Sequence, residues 1–495
     1  MHASDKTVAT GSLPGLGFRC SRHLVLLTAL VTLSACSVGP DYVRPSFEAP
    51  TAYKEAGPWK TAIPGQIDGN HRWWEAYGDS VLSDLIDQAN SANQNIRYAE
   101  AQFRQSQATA RVAQAGFWPT AGISAGAARG QTNTNGTIRL ADTYTTGLNA
   151  TWEADVWGRV RRSVEAGDAG SQASAATLAA ARLSIQATLA QNYLQLRVTD
   201  LLSDLYLRTT QAYTRTFELT QRQYAAGIAL RSDVAQAETQ LLNAQAQKID
   251  LDATRSQLEH AIAILVGKAP AVFALSPVAG PVVAVMPAIP VGLPSELLER
   301  RPDIASAERL VAVANANIGV AKAAYFPSLI LSAGGGYSSP GFASLFNTPA
   351  RVWSLGAVLA GTLFDGGLRS ARTDQAIALF DASVAQYKQT VLGGFQEVED
   401  NLAVLRVLAN ESKVQAQAVQ AALLAERLIT SQYRVGTVTY VSVVTAQAAA
   451  LASQRTLVQL QGRQLLAGVA LIKATGGGWS AAELVAGAPD LAKHP

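Results

Sequence analysis

Two cysteines and five histidines in 495 residues leave few side chains from which to build a thiol, zinc or imidazole-based catalytic centre. The histidines are scattered, mostly towards the termini, and no HExxH, GxSxG or Walker A pattern occurs. Charge is scarce as well, at 16% of residues with a formal net charge of +3, so the basic footprint of a nucleic-acid binder is missing. The apolar run LVLLTALVTL, Leu24 to Leu33, falls well short of the ~20 residues that a spanning helix needs. Glu397, Glu399 and Asp400 form the densest acidic cluster, but in a helical stretch they read as a solvated structural face rather than an acid/base pair. These absences argue against an enzyme, and no catalytic residue, metal ligand or dissociable cofactor is assigned.

What is present begins at the front. Arg19, Arg22 and His23 precede the apolar run, the arrangement of a secretory signal, here residues 1–35. The long stretch before Leu24 is compatible with a start downstream of Met1. Leu33-Ser34-Ala35-Cys36 resembles the bacterial lipobox, which implies cleavage before Cys36 and a covalent diacylglycerol and acyl chain on that residue. Ser37, where an Asp would imply retention in the inner membrane, implies sorting to the outer one. The plainer alternative is a signal peptide with a chance cysteine. Because Cys20 lies in the presequence, the processed chain would hold one cysteine and no disulfide, even in an oxidising compartment.

The chain is also written twice. Slid against itself by about 208 residues, Asn95-Ile96 meets Asp303-Ile304 and Phe117-Trp118-Pro119 meets Tyr325-Phe326-Pro327. One residue further, Gly158 meets Gly367, Gln223-Tyr224 meets Gln432-Tyr433, and Gly227 meets Gly436. Each half reads as a helix (Asn95 to Ala115, Asp303 to Ala324) stopped by an aromatic pair and Pro. Two β-like runs follow, joined by RGQTNTNGTIRLAD or SSPGFASLFNTPA, both rich in turn formers.

In Tyr144 to Val156 the even positions are mainly apolar and the odd ones polar. The matching face in the second half is Trp353, Leu355, Ala357, Leu359, Gly361 and Leu363. Such alternation over about 10 residues suits a transmembrane strand, although a sheet on a soluble core would give it too. Glu153 and Asp155 fall on the polar face and are candidates for a barrel lumen. Beyond Gly158 and Gly367 run helical stretches of about 65 residues, roughly 100 Å, each turning at Gly227 or Gly436 into a returning helix (Arg231 to Val266, Tyr440 to Ala474). Four strands cannot close a barrel in lipid, so the chain must associate; dimers and trimers both satisfy closure. The resulting division is 1–35 signal, 36–79 N-terminal segment, 80–267 first repeat, 268–292 linker, 293–478 second repeat and 479–495 C-terminal segment.

The lipobox, the block GLPSELLERRPDIASAERLVAVANANIGVAKAAYFPSL (Gly292 to Leu329), FDGGLR, GFQEVEDNL and SQYRVG together resemble the TolC-like outer-membrane efflux factors of the OprM/NodT lipoprotein branch, over essentially the whole processed chain. The resemblance implies a membrane α+β fold: a homotrimer whose chains give four strands each to a twelve-stranded transmembrane β-barrel, continuous with a long periplasmic α-helical barrel. It places an equatorial belt in the segments outside the repeats. It implies a passive exit duct for small toxic or amphiphilic compounds, served by a periplasmic membrane-fusion adaptor and an inner-membrane RND-type pump. Tyr433, Arg434, Val435, Gly436 and Thr437, with Tyr224, Ala226, Gly227 and Ile228, would meet the adaptor and form the aperture. Thr445 stands where many relatives carry an acidic residue; Asp233 offers some negative charge nearby. Rival readings are a type I secretion duct and a periplasmic adaptor lipoprotein, although an adaptor has one hairpin and no duplication.

Overall fold

The computed structural model describes residues 37–55, 72–134, 137–277, 294–482 and 484. The signal region, Cys36 and most of the linker and C-terminal segments lie outside the described residues.

Helix α1 (Ser80–Ala92) starts where the Asp79 carboxylate accepts the Val81 and Leu82 amides at 2.9 and 3.1 Å, and it buries Leu82, Leu85, Ile86 and Ala89 at helical spacing. Asn93 ends α1 and starts α2 (Gln94–Ala115), its side-chain oxygen accepting the Asn95 and Ile96 amides. Then come β1 (Thr120–Thr134), β2 (Thr137–Ala154), α3 (Arg159–Ala225) and α4 (Arg231–Leu265). After a helical turn at Leu297–Arg300 the order repeats: α5 (Pro302–Ala323), β3 (Ser328–Ser339), β4 (Arg351–Ala360), α6 (Leu368–Arg434) and α7 (Tyr440–Ala474). The long helices α3 and α6 have 67 residues each and the returning helices 35 each, so the halves agree in element length as well as in sequence. No helix among the described residues is long and apolar enough to cross a membrane.

The four strands form one antiparallel sheet in the order β1-β2-β3-β4. Since side chains alternate and paired residues share a face, the register writes out both surfaces. On one, the rows across the sheet are Ile123-Leu148-Gly335-Trp353, Ala121-Ala150-Ala333-Leu355, Trp152-Leu331-Ala357 and Ala154-Leu329-Leu359. On the other they are Gly122-Asn149-Gly334-Ser354, Ser124-Gly147-Gly336-Val352 and Thr120-Thr151-Ser332-Gly356. Over these rows one surface is aliphatic and aromatic and the other mostly small and polar; the exceptions are Val352 and the Glu153-Ile330-Val358 row on the second surface, and Thr146, Arg351 and the Arg129–Asp142 pair further along the first. The apolar one is open, with Ile123, Leu148, Trp353, Leu355 and Leu359 all exposed in the single chain.

The chain divides into two compact units. One holds the sheet and its flanking helix ends (37–43, 108–169 and 312–382 of the described residues); the other holds the remaining helices with the segments packed on them.

Three expectations change. The polar stretch Arg129 to Asp142 is not a long connection, because β1 runs to Thr134 and β2 starts at Thr137, with Arg129 and Asp142 opposite each other in an ion pair of 3.5 Å. Strand β4 ends at Ala360, so Gly361 and Leu363 lie past it; a side chain at 361 would meet the Pro327 ring at 3.2 Å. Asp155 also lies outside its strand, for a reason given below.

Candidate functional site

The hairpin tips are built by one local device used twice. At the end of α3 the Gly227 amide donates to the Tyr224 carbonyl at 2.9 Å and the Ile228 amide to the Gln223 carbonyl at 2.8 Å. At the end of α6 Gly436 donates to Tyr433 at 2.9 Å and Thr437 to Gln432 at 3.0 Å. Both pairs form the Schellman pattern, which needs a left-handed residue, and Gly227 and Gly436 have φ of 72° and 77°. Ala226, Ile228, Arg434, Val435 and Thr437 are exposed around these turns, as is much of Tyr224. Asp233 does not stand free: its carboxylate accepts the Leu230 amide at 3.2 Å and caps α4.

The two tips touch. The Tyr433 hydroxyl donates to Gln223 Oε1 at 2.8 Å, which ties the second hairpin to the first, and its ring lies 5.5 Å from that of Tyr440. Tyr440, Val443 and Ala237 form a buried cluster with Phe217, Ile429 and Val444 packed against it. Burial pushes the Tyr440 phenol up to about 12, with Tyr433, Tyr213 and Asp233 adding to the effect; burial and then the Asp233 charge also raise Tyr433. The sequence singled out Tyr433 but not its partners Gln223 and Tyr440. The repeated Gln-Tyr pair was the signal that could have found Gln223, whereas nothing local distinguishes Tyr440 from a surface tyrosine.

Glu153 and Asp155 are both committed elsewhere. Glu153 receives Arg159 Nε and Nη2 at 2.9 and 2.6 Å, a bidentate pair that cancels its charge. Asp155 sits after β2 and accepts the Val160 and Arg161 amides at 2.8 and 2.9 Å, capping α3. In the second half Asp365 does the corresponding work, accepting the Gly367 and Arg369 amides; the Arg369 guanidinium beside it holds its carboxyl below the usual range. The acidic cluster is engaged in part. Glu397 pairs with Arg301 at 2.7 Å while staying exposed, and Glu399 accepts the Lys54 and Glu55 amides at 2.7 and 2.9 Å; with Asp400 also exposed, the cluster is a solvated face whose first two members also clasp neighbouring segments. Burial works against the Arg301 charge, but hydrogen bonds to Asp303 and Glu397 hold its pKa above the ordinary range.

Cys36 lies outside the described residues, but the chain just after it is firmly seated. The Val38 amide donates to Trp157 O at 3.1 Å, Asn315 Nδ2 donates to Pro40 O at 3.0 Å, and buried Arg162 reaches Asp41 Oδ1 at 2.9 Å. A side chain on Gly39 would lie 2.5 Å from the Gly319 Cα, so two glycines make this close passage. No group of three or more His, Cys, Asp or Glu suited to a metal occurs among the described residues.

An antiparallel sheet with one open apolar face, joined to twice-repeated hairpins of 67 and 35 residues, is the plan of an outer-membrane duct. The outer membrane efflux protein family matches residues 85–268 and 293–477, and the chain belongs to that family. It is 31% identical over 473 residues to the pyoverdine export outer membrane protein OpmQ of Pseudomonas aeruginosa, covering 92% of this chain and 97% of that one. Its fold is similar to that of the outer-membrane channel OprN, with a TM-score of 0.85 and 29% identity over 90% of this chain and all of the other. It is also similar to the open state of the Neisseria gonorrhoeae MtrE outer membrane channel, with a TM-score of 0.79 and 28% identity over 90% of this chain and 98% of that one. The protein is thus an outer-membrane efflux channel that extends into the periplasm, and its relatives are ducts rather than enzymes.

Proposed function

We propose that three copies of the chain close their sheets into one twelve-stranded barrel and that their helical hairpins line a periplasmic tube. The observation that carries this reading is the register of the sheet: from the Ile123–Trp353 row to the Ala154–Leu359 row one face is apolar, the other is mostly small and polar, and β1 and β4 each have a neighbour on one side only. Open edges are not tolerated in lipid, so a neighbouring copy must cover them. In this reading the protein is the passive outer-membrane component of a tripartite pump. A periplasmic adaptor meets the tips around Tyr433 to Thr437 and Tyr224 to Ile228, and an RND-type inner-membrane pump supplies the energy. The aperture opens when the Tyr433–Gln223 contact parts. Its solutes are small amphiphilic or toxic compounds, a class supported by the export role in the OpmQ name. Cys36 carries the diacylglycerol and acyl chain.

The test is planar-bilayer conductance of the detergent-purified protein with the oligomer mass taken on the same sample. A trimer that inserts and passes a small, flickering current supports the gated duct. A monomer that never inserts favours an adaptor-like lipoprotein instead.

A further inference from the structure

The charges near the two tips divide unevenly between free and engaged. Within fifteen residues of either turn on the four helices α3, α4, α6 and α7 stand Arg215, Arg222, Arg231, Arg427 and Arg434, against Glu218, Asp233, Glu238 and Glu426. All five arginines are exposed, and none forms an ion pair within the chain among the described residues. Of the four acids, Asp233 binds the Leu230 amide while its charge still acts on Tyr433 and Tyr440, and Glu426 is half-buried; in the four residues of each helix next to the turns, three arginines face one acid, Asp233. The turns themselves, Ala226 to Leu230 and Val435 to Thr439, carry no charge, and neither do the first fifteen residues of α7, Thr445 included. Arg222, Arg231 and Arg434 are the ionic groups nearest the turns that remain free.

The sheet supplies no counterweight of its own. Its polar face is Gly, Ser, Thr and Asn over most rows, and the one carboxylate on it, Glu153, is neutralised by Arg159.

We infer that the periplasmic aperture is an anion-preferring constriction, its sign set by Arg222, Arg231 and Arg434. The inference rests on the reading of the tips as the narrow mouth of a duct. Low-dielectric walls focus the field of charges at a constriction, and with a Debye length of about 8 Å at physiological salt, three arginines per chain govern the ions passing there. Rings of basic side chains select anions in other pores by the same means. The solutes favoured at this mouth therefore carry carboxylate, sulfonate, phosphate or phenolate groups, and cationic amphiphiles are disfavoured.

The experiment is the reversal potential of the purified protein in a planar bilayer under a potassium chloride gradient, compared with R434Q, R222Q and the double variant. The wild type is expected to reverse on the chloride side of zero. The double variant should lose most of that preference, whereas R434K should keep it. Raising salt equally on both sides should weaken it by screening. Reversal on the potassium side, or an unchanged reversal in the double variant, overturns the inference while leaving the duct intact. A protein that never conducts removes the duct reading, and the inference with it.

Discussion

Single side chains tie the two tips together. The Tyr433 hydroxyl donates a side-chain hydrogen bond from the second tip to Gln223 of the first. Losing such a bond costs ~0.5–1.5 kcal/mol, so Tyr433→Phe should raise the open-to-closed ratio of the aperture about 2- to 12-fold, read as more frequent openings in bilayer recordings. Glu426 makes a pH-dependent contribution of opposite character. Burial raises its folded pKa above the ordinary ~4.3, so the fold disfavours the ionised form and stability falls as pH rises from that value through the folded one. Glu426→Gln should therefore raise Tm at about pH 8 and leave it unchanged at about pH 4. Alkali should act on the tip in the same direction, since burial holds the Tyr440 phenol up to about 12 and stability falls as pH rises from the ordinary ~10 towards that value.

Among the elements, the β-sheet depends on one close approach. A Cβ on Gly336 would lie 2.1 Å from the Thr146 carbonyl and 2.6 Å from the Gly147 Cα, whereas one on Gly335 meets nothing within 4 Å. Bare backbone at Gly336 lets β3 press against β2 where the two repeats join, a common device for bending a sheet. Gly336→Ala should lower stability by about 1–3 kcal/mol, seen as earlier heat dissociation of the oligomer, while Gly335→Ala should be silent.

The elements also show what a sequence can and cannot disclose. The hairpins and β2 were legible because their period, length and terminal glycines are local properties, and the apolar face of the sheet followed from alternation alone. The extension of β1 and β2 through Arg129 to Asp142 was not, because polar, turn-forming residues there are overruled by ladder hydrogen bonds and the Arg129–Asp142 pair. Helix α1 was passed over because the comparison of repeats offers no counterpart of equal length, only the turn at Leu297–Arg300. At the site, the glycines and Tyr433 could be read from the repeat. The partners Gln223 and Tyr440, and the committed roles of Asp155, Glu153 and Asp233, depend on which residues the fold brings near one another.

For the whole molecule, a barrel that spans the membrane should anchor itself. The segment after Cys36 is held by Val38, Pro40 and Asp41 whether or not an acyl chain precedes it. Cys36→Ser behind a cleavable signal is thus expected to reach the outer membrane and insert, with lipid attachment acting as an aid to sorting; recovery of the variant solely in the soluble periplasm would contradict this. The seating of that segment on Arg162 and Gly319 gives a second handle, since protease protection of residues 37–41 can be followed independently of insertion.

The tyrosine latch between the tips has a further property. Tyr433 and Gln223 belong to the same polypeptide, so in the proposed trimer this contact is made within each protomer. An assembly of mixed wild-type and latchless chains should consequently open in graded steps that follow the number of altered chains, rather than behave as if a majority had voted.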